Sequence, residues 1–382
     1  MKTIYYLGLL GLALFEVLKV YFIMPMPGSQ GIDSLGFAYF LHAHRWAFRT
    51  CFLLAAIAGS RAAFAGGRKW PPGLAAASAL AVAWLFNFQM TADRLFLQPS
   101  RLTMSPQSGN AVGEGAVVIG IELGGEARAY PVRFLVYHHQ VRDTVGGMSV
   151  IVTYCSVCRT GSVFKPVVGG HLETFRLVGM DHFNAMFEDA STRSWWRQAT
   201  GEAVAGPLKG QALPEIEASQ VTLGEWFRLH PGSLVMQPDE PSRKSYDTYG
   251  RFERGISTGD LTRTDRSPWQ DKSWVVGIRV GGVSKAYDWR RLAKERVLND
   301  RIGEVPVVLV LGADRTSFAA FERPDAGWVF TVKGDVLSAN GRSFDLSGRD
   351  LASPDQRLKS VNPHQEFWHS WRAFHPDTLR DT

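Results

Sequence analysis

Cysteine is scarce in this chain, with three residues in 382. That excludes a disulfide-dense scaffold, and it excludes a zinc site closed by two cysteine pairs. Net charge is also missing where a nucleic-acid binder would need it. Residues 1–90 hold seven Lys/Arg and two acidic residues, which leaves 35 basic against 34 acidic residues in the remainder. A near-neutral remainder lacks the basic footprint of a nucleic-acid surface, so no nucleic-acid partner is expected. The formal charge of +6 belongs to the first ninety residues. The length allows two or three domains.

Three apolar segments crowd that first part, at about residues 4–24, 35–64 and 74–89. The first two reach the roughly 20 residues that cross a bilayer and the third is short but nearly free of charge, so residues 1–90 read as a transmembrane region with the lipid bilayer as its partner. The first segment is too long for a cleavable signal peptide, and no small-residue cleavage site follows it. The second is awkward, because it contains His42, His44, Arg45 and Arg49. Arginines at membrane depth need partners, and Glu16 on the first segment is the obvious one. The two histidines invite a haem or quinone reading, but positions i and i+2 face different ways on a helix; an interfacial pair is the simpler reading. The loop 25–33 has no Lys or Arg, whereas Arg61, Arg68 and Lys69 follow the second segment. Positive residues favour the cytoplasmic side, so three crossings place residues 91–382 outside the cytoplasm.

That remainder contains an internal repeat. Residues 117–150 align without a gap onto 274–307, and twelve positions are identical, among them Gly120/Gly277, Tyr130/Tyr287, Asp143/Asp300 and Gly146/Gly303. The tails Trp226-Phe-Arg-Leu-His-Pro231 and Trp371-Arg-Ala-Phe-His-Pro376 also correspond. Within a copy, Val117–Leu123 and Ala127–Tyr130 read as a hairpin around Gly124-Gly125. Pro131 opens a short helix, and a turn at 143–147 leads into the strand Val150–Tyr154. Residues 162–168 and 171–178 read as a further hairpin, 222–230 as an amphipathic helix, and the Trp195/Trp196 run with the Gly201–Gly210 turns as a packed loop platform. The expected fold class is α+β: three N-terminal transmembrane helices, then a tandem duplication of mainly antiparallel β-rich units with short helices. The expected boundaries are 1–90, 91–258 and 259–382.

The chemistry concentrates in Tyr154-Cys155-Ser-Val-Cys158-Arg159-Thr160-Gly161. In the second copy Cys155 falls on Gly312, Cys158 on Arg315, and His138 and His139 on Glu295 and Arg296. What looks architectural occurs twice and what looks reactive occurs once, which marks the first copy as the functional one. Four readings of the cysteine pair compete. Two thiolates at this spacing can hold a transition metal, Cu or Zn, with His138, His139, Asp181 or His182 completing the site. Asp181, His182 and Asn184 come from the run Gly179-Met-Asp-His-Phe-Asn184. The other readings are a thiol–disulfide exchanger, a structural disulfide and a nucleophilic cysteine with a histidine base. His171, His230 and His375 read as structural, Glu188 and Asp189 as turn or cap residues, and Cys51 as a small apolar residue.

The cysteine motif, with Ala129-Tyr130-Pro131 and His138…Asp143-Thr144-x-Gly146-Gly147 before it, resembles a bacterial and archaeal family. So does Asp189-x-x-Thr192-x-Ser194-x-Trp196-x-Gln198-x-x-Gly201…Gly206-Pro207-Leu208-x-Gly210. The family is the domain of unknown function 3179, and the resemblance covers roughly residues 91–382. It often has His-Glu where this chain has His138-His139. The resemblance implies importance for Cys155, Cys158 and His138 and implies no substrate. The expectation is a protein of the bacterial cytoplasmic membrane, soluble part extracytoplasmic, binding a metal or doing thiol redox chemistry; the rival is a non-catalytic binding module with a Cys155–Cys158 disulfide. Its small-molecule or protein partner is unspecified.

Overall fold

The computed structural model describes residues 1–381. The chain forms two compact units: residues 1–97 with 174–197 and 202–211, and residues 98–173 with 198–201 and 212–382.

The first unit starts with the helices α1 (Lys2–Tyr21), α2 (Leu35–Ala43), α3 (Arg45–Phe64) and α4 (Trp70–Phe88). Helices α1, α3 and α4 are long and apolar enough to cross a membrane. The segment read from sequence as one span over 35–64 is two helices, broken at His44, whose backbone is non-helical. Residues 45–64 alone supply the spanning length. Helices α1 and α3 approach closely because glycine lines the contact: a Cβ on Gly8 would stand 2.6 Å from the Ala56 nitrogen. Small residues permit such backbone contact where lipid offers no competing packing advantage. Arg49 does find Glu16, at 2.6 Å, and Lys19 (2.9 Å) and Asn87 (2.8 Å) donate to the same carboxylate. Leu10, Leu14, Leu54, Ile57 and Leu80 on these helices are exposed.

The same unit contains a four-stranded antiparallel sheet in the order 203–205, 195–197, 184–189, 175–181. Ile23, Ala38, Val178, Met186 and Trp195 form its core. The Trp195–Gly210 stretch read as a loop platform thus supplies two strands; Trp195 and Trp196 are buried because they lie on one of them. Glu188, buried in a strand, accepts from His42 (2.9 Å), Arg176 and the Trp195 indole. Those partners hold its carboxyl well below the usual range against the opposing effect of burial, the largest single influence.

The second unit is built from short, mainly antiparallel sheets. Its five-stranded sheet runs 104–106, 234–236, 126–131, 117–123, 219–222. A four-stranded sheet runs 215–216, 160–164, 148–155, 140–145, and another runs 364–367, 274–280, 283–288, 379–380. The order strand, strand, helix, strand, strand, strand occurs from Val117 to Phe164 and again from Trp274 to Glu322. The indole of Trp226 covers Gly120 and that of Trp371 covers Gly277, each so closely that a Cβ would collide. The hairpin expected over 162–178 shrinks to the two-residue pairing of 167–168 with 171–172. Pro166, with no N–H to donate, falls where the ladder would continue, and residues 175–181 pair with 184–189 instead.

Candidate functional site

The strand Met148–Cys155 is β-branched and buried through its second half, which suits a central position between 140–145 and 160–164. It pairs Cys155 with Thr160. The intervening turn brings Cys158 back toward Cys155, with Arg159 in the left-handed region at φ 59°. Gly161 is required by the packing, since a Cβ there would lie 2.7 Å from the Ile119 side chain.

Cys155 and Cys158 are both buried thiols, with no disulfide between them. Burial pushes the Cys158 thiol well up, and its hydrogen bond with Cys155 pushes it further. Cys158 therefore keeps its proton and donates it toward the Cys155 sulfur. Three groups distant in sequence pack against the segment from Cys155 to Gly161 that carries the pair. The first is Lys272, whose Nζ donates to the Val157 carbonyl (2.7 Å) and lies 3.0 Å from His369 Nε2. Burial lowers Lys272 to about 8, while the two thiols act to raise it. His369 is held neutral: burial, with Lys272 adding to it, lowers it to about 3.

The second group is Glu366, on the strand His364–Phe367; the Phe367 N–H donates to the Cys158 carbonyl (2.8 Å). Burial raises Glu366 to about 7, opposed by His364, Ser370 and Thr160. Its Oε2 and the Ser370 hydroxyl make no well-formed hydrogen bond. The third is His364, 3.0 Å from Glu215 and 3.2 Å from the Gly161 carbonyl. Although burial acts to lower it, Glu215 and Glu366 raise it to about 9, so at neutral pH both ring nitrogens donate.

The other sequence candidates hold different positions. His138 Nε2 shares a 2.6 Å hydrogen bond with the Tyr246 hydroxyl. His139 ends the helix Val132–His138 at φ 59°; its Nδ1 donates to the Tyr154 carbonyl (3.1 Å), and the Tyr154 N–H returns a bond to the His139 carbonyl (3.0 Å). Burial lowers His139 to about 4, so it is neutral. Tyr154 is fully buried and Arg159 nearly so; Arg159 reaches Gln365 (2.9 Å). Asp181, His182 and Asn184 belong to the first unit, at a hairpin corner where Asp181 binds His182 (2.7 Å) and Arg197 (2.6 Å). Among the described residues, no group of three or more His, Cys, Asp or Glu is arranged to hold a metal.

Sequence reasoning missed Lys272, Glu366, His364, His369 and Ser370. One signal was available for Glu366. Matching the two tails sets Gln365 against Gln220, 145 residues apart, which sets Glu366 against Val221. Val221 pairs with Val118 as Glu366 pairs with Val275. An acid thus stands at a buried strand position where the matching tail has valine. Lys272 carries no comparable signal.

No curated protein and no solved structure matches the chain. Residues 100–378 match the profile of a family described as Protein of unknown function (DUF3179). That match covers most of the sequence, the cysteine turn and all its neighbours included, and the chain belongs to this family.

Proposed function

We propose that the protein is a membrane-anchored, extracytoplasmic dithiol centre that exchanges electron pairs with small disulfides. The observation that carries this reading is the hydrogen-bonded Cys155–Cys158 pair set against Lys272 and Glu366. Residues three apart across a tight turn lie within the Cα span of a disulfide. The Lys272 ammonium favours a thiolate at Cys155, and thiolates are the nucleophiles of exchange. The Cys155 thiolate attacks one sulfur of the substrate disulfide, forming a mixed disulfide and releasing one thiolate. Cys158 passes its proton to the Glu366 carboxylate, and its sulfur displaces the second thiolate, closing Cys155–Cys158. The substrate gains the two electrons that the protein loses. Burial of both sulfurs fits a small partner in preference to a folded one.

A second reading has support from the donor set. Two convergent sulfurs alone can bind Cu⁺, for which thiolates are suitable ligands, and Lys272 would offset the net negative charge of a cuprous dithiolate. The duplication of the β-rich units and the outward orientation belong to the same proposal, supported by the twelve shared positions and the basic 61–69 loop.

The test is thiol counting and elemental analysis on the full chain in detergent, after equilibration with glutathione buffers of graded potential. Reversible loss of two thiols, absent in Cys155→Ser and Cys158→Ser, supports exchange. Stoichiometric copper with thiols protected supports the second reading. Two thiols unresponsive to both treatments would sink both. For orientation, a periplasmic reporter fused after Thr382 should be active, and activity only of a cytoplasmic reporter would reverse the topology.

A further inference from the structure

The second unit contains an open cleft of about 530 Å³ that shares a wall with the cysteine turn. Arg159, one residue past Cys158, lines it, and so does Gln365, one residue before Glu366. Neighbouring side chains on a strand point to opposite faces, so Glu366 meets the thiols while Gln365 meets the cleft. Arg133, Arg254 and Arg315 contribute three more guanidinium groups.

Among the described residues, only Arg133 of these four forms an ion pair with a carboxylate. Arg133 faces Glu253 at 3.4 Å, and Glu253 also accepts the Val117 N–H at 2.6 Å. Arg159 donates to neutral acceptors, namely Gln365 Oε1 (2.9 Å) and the Phe252 and Glu253 carbonyls (3.1 Å each). Its guanidinium lies 3.6 Å from the centre of the Trp274 ring. Arg254 donates to the Gly250 carbonyl and Arg315 to the Ala293 carbonyl. A guanidinium that is 3 % exposed and bonded only to neutral groups is costly to bury. Its fork geometry suits the two oxygens of a carboxylate or phosphate.

We propose that this cleft binds a small organic anion, its carboxylate or phosphate held by Arg159, Arg254 and Arg315 and its body against Trp274 and Trp289. The proposal does not rest on the thiol reading, since none of these groups takes part in the exchange.

The test is calorimetric titration of the full chain in detergent with two probes, inorganic phosphate and succinate. Saturable binding of either is expected, and which probe binds identifies the anion class. Arg254 and Arg315 are exposed, so the Arg254→Gln/Arg315→Gln variant should keep its fold, which its melting temperature verifies. Charge-assisted hydrogen bonds of this kind make a weakening of about tenfold or more the expected result. Arg159→Lys, which keeps the charge and loses the fork, should also bind less tightly. No saturable binding of either probe, or affinity unchanged in a folded double variant, would overturn the proposal.

Discussion

The ammonium group of Lys272 donates a 2.7 Å hydrogen bond to the carbonyl of Val157, inside the turn that joins Cys155 to Cys158. One bond therefore holds the turn and sets a positive charge beside the sulfurs. Replacing the lysine by methionine keeps much of the apolar stem and removes the charge. Because a nearby cation favours the thiolate, Lys272→Met should shift the midpoint of thiol alkylation upward by about one pH unit. The measurement is the rate of reaction with iodoacetamide as a function of pH. An unshifted midpoint would show that Lys272 only supports the backbone.

Glu366 pairs with Val275 as Val221 pairs with Val118, and an acid is expensive in that buried position. Its pKa is raised to about 7, so its folded value exceeds its unfolded one. The stability it contributes is present below about pH 4.5 and is lost as pH rises through about 7. Glu366→Val should therefore stabilise the protein by about 1 kcal/mol above pH 7 and by less at pH 5. The same change should slow disulfide exchange, because Cys158 loses its proton acceptor. Parallel denaturant unfolding and glutathione kinetics check both halves. Destabilisation at pH 8 would mean that the carboxylate has a partner that outweighs its burial.

What the sequence made legible followed local rules. The Gly124-Gly125 hairpin, the short helix after Pro131 and the strand ending at Cys155 depend on turn chemistry and on β-branched runs. Glu16 could be matched to Arg49 because a charge in an apolar segment needs a partner. The surroundings of the cysteines follow no local rule. Lys272, His364 and Glu366 arrive on elements more than a hundred residues away, tied to the turn by the Lys272 bond to the Val157 carbonyl and the Phe367 bond to the Cys158 carbonyl. The split at His44 was also hidden, since the residues on both sides are good helix formers. His139 shows a subtler limit. It stood out as a histidine without a counterpart, but its ring bonds the Tyr154 carbonyl as the Arg296 guanidinium bonds the Leu311 carbonyl. Different residue types can do the same job for the backbone.

That comparison gives a prediction for His139 itself. His139→Ala leaves the buried Tyr154 carbonyl without its imidazole donor, which should cost about 1–3 kcal/mol. The thiol titration should keep its midpoint. Chemical denaturation measures the first and iodoacetamide kinetics the second. A stable variant with altered thiol chemistry would assign His139 to the reactive centre.

In the first unit, among the described residues, Glu16 is the one carboxylate paired with Lys19 and Arg49 in the helix bundle. Removing it strands two cations among apolar helices. Glu16→Ala should destabilise the unit by about 3–5 kcal/mol, whereas Glu16→Gln keeps hydrogen-bond acceptance and should lose less. Thermal unfolding in detergent and the yield of folded protein measure the ranking. Equal losses for both variants would show that the negative charge is not what the site needs.

The ion pair between His364 and Glu215 gives the stability a pH dependence of its own. His364 is raised from 6.5 to about 9, so the folded state holds this proton more tightly than the unfolded state. Its contribution is complete below about pH 6.5 and is lost as pH rises through about 9. The shift corresponds to about 3 kcal/mol at most. Lys272 and Glu366 titrate in an overlapping range, so the wild-type curve alone does not isolate the pair. The difference between wild type and Glu215→Gln does: it should be largest near pH 6 and shrink toward zero by pH 10. Denaturant unfolding of both proteins at pH 6, 8 and 10 measures it. A difference that is constant over this range would mean that the histidine is neutral in the folded protein and that the pair is held by a neutral hydrogen bond.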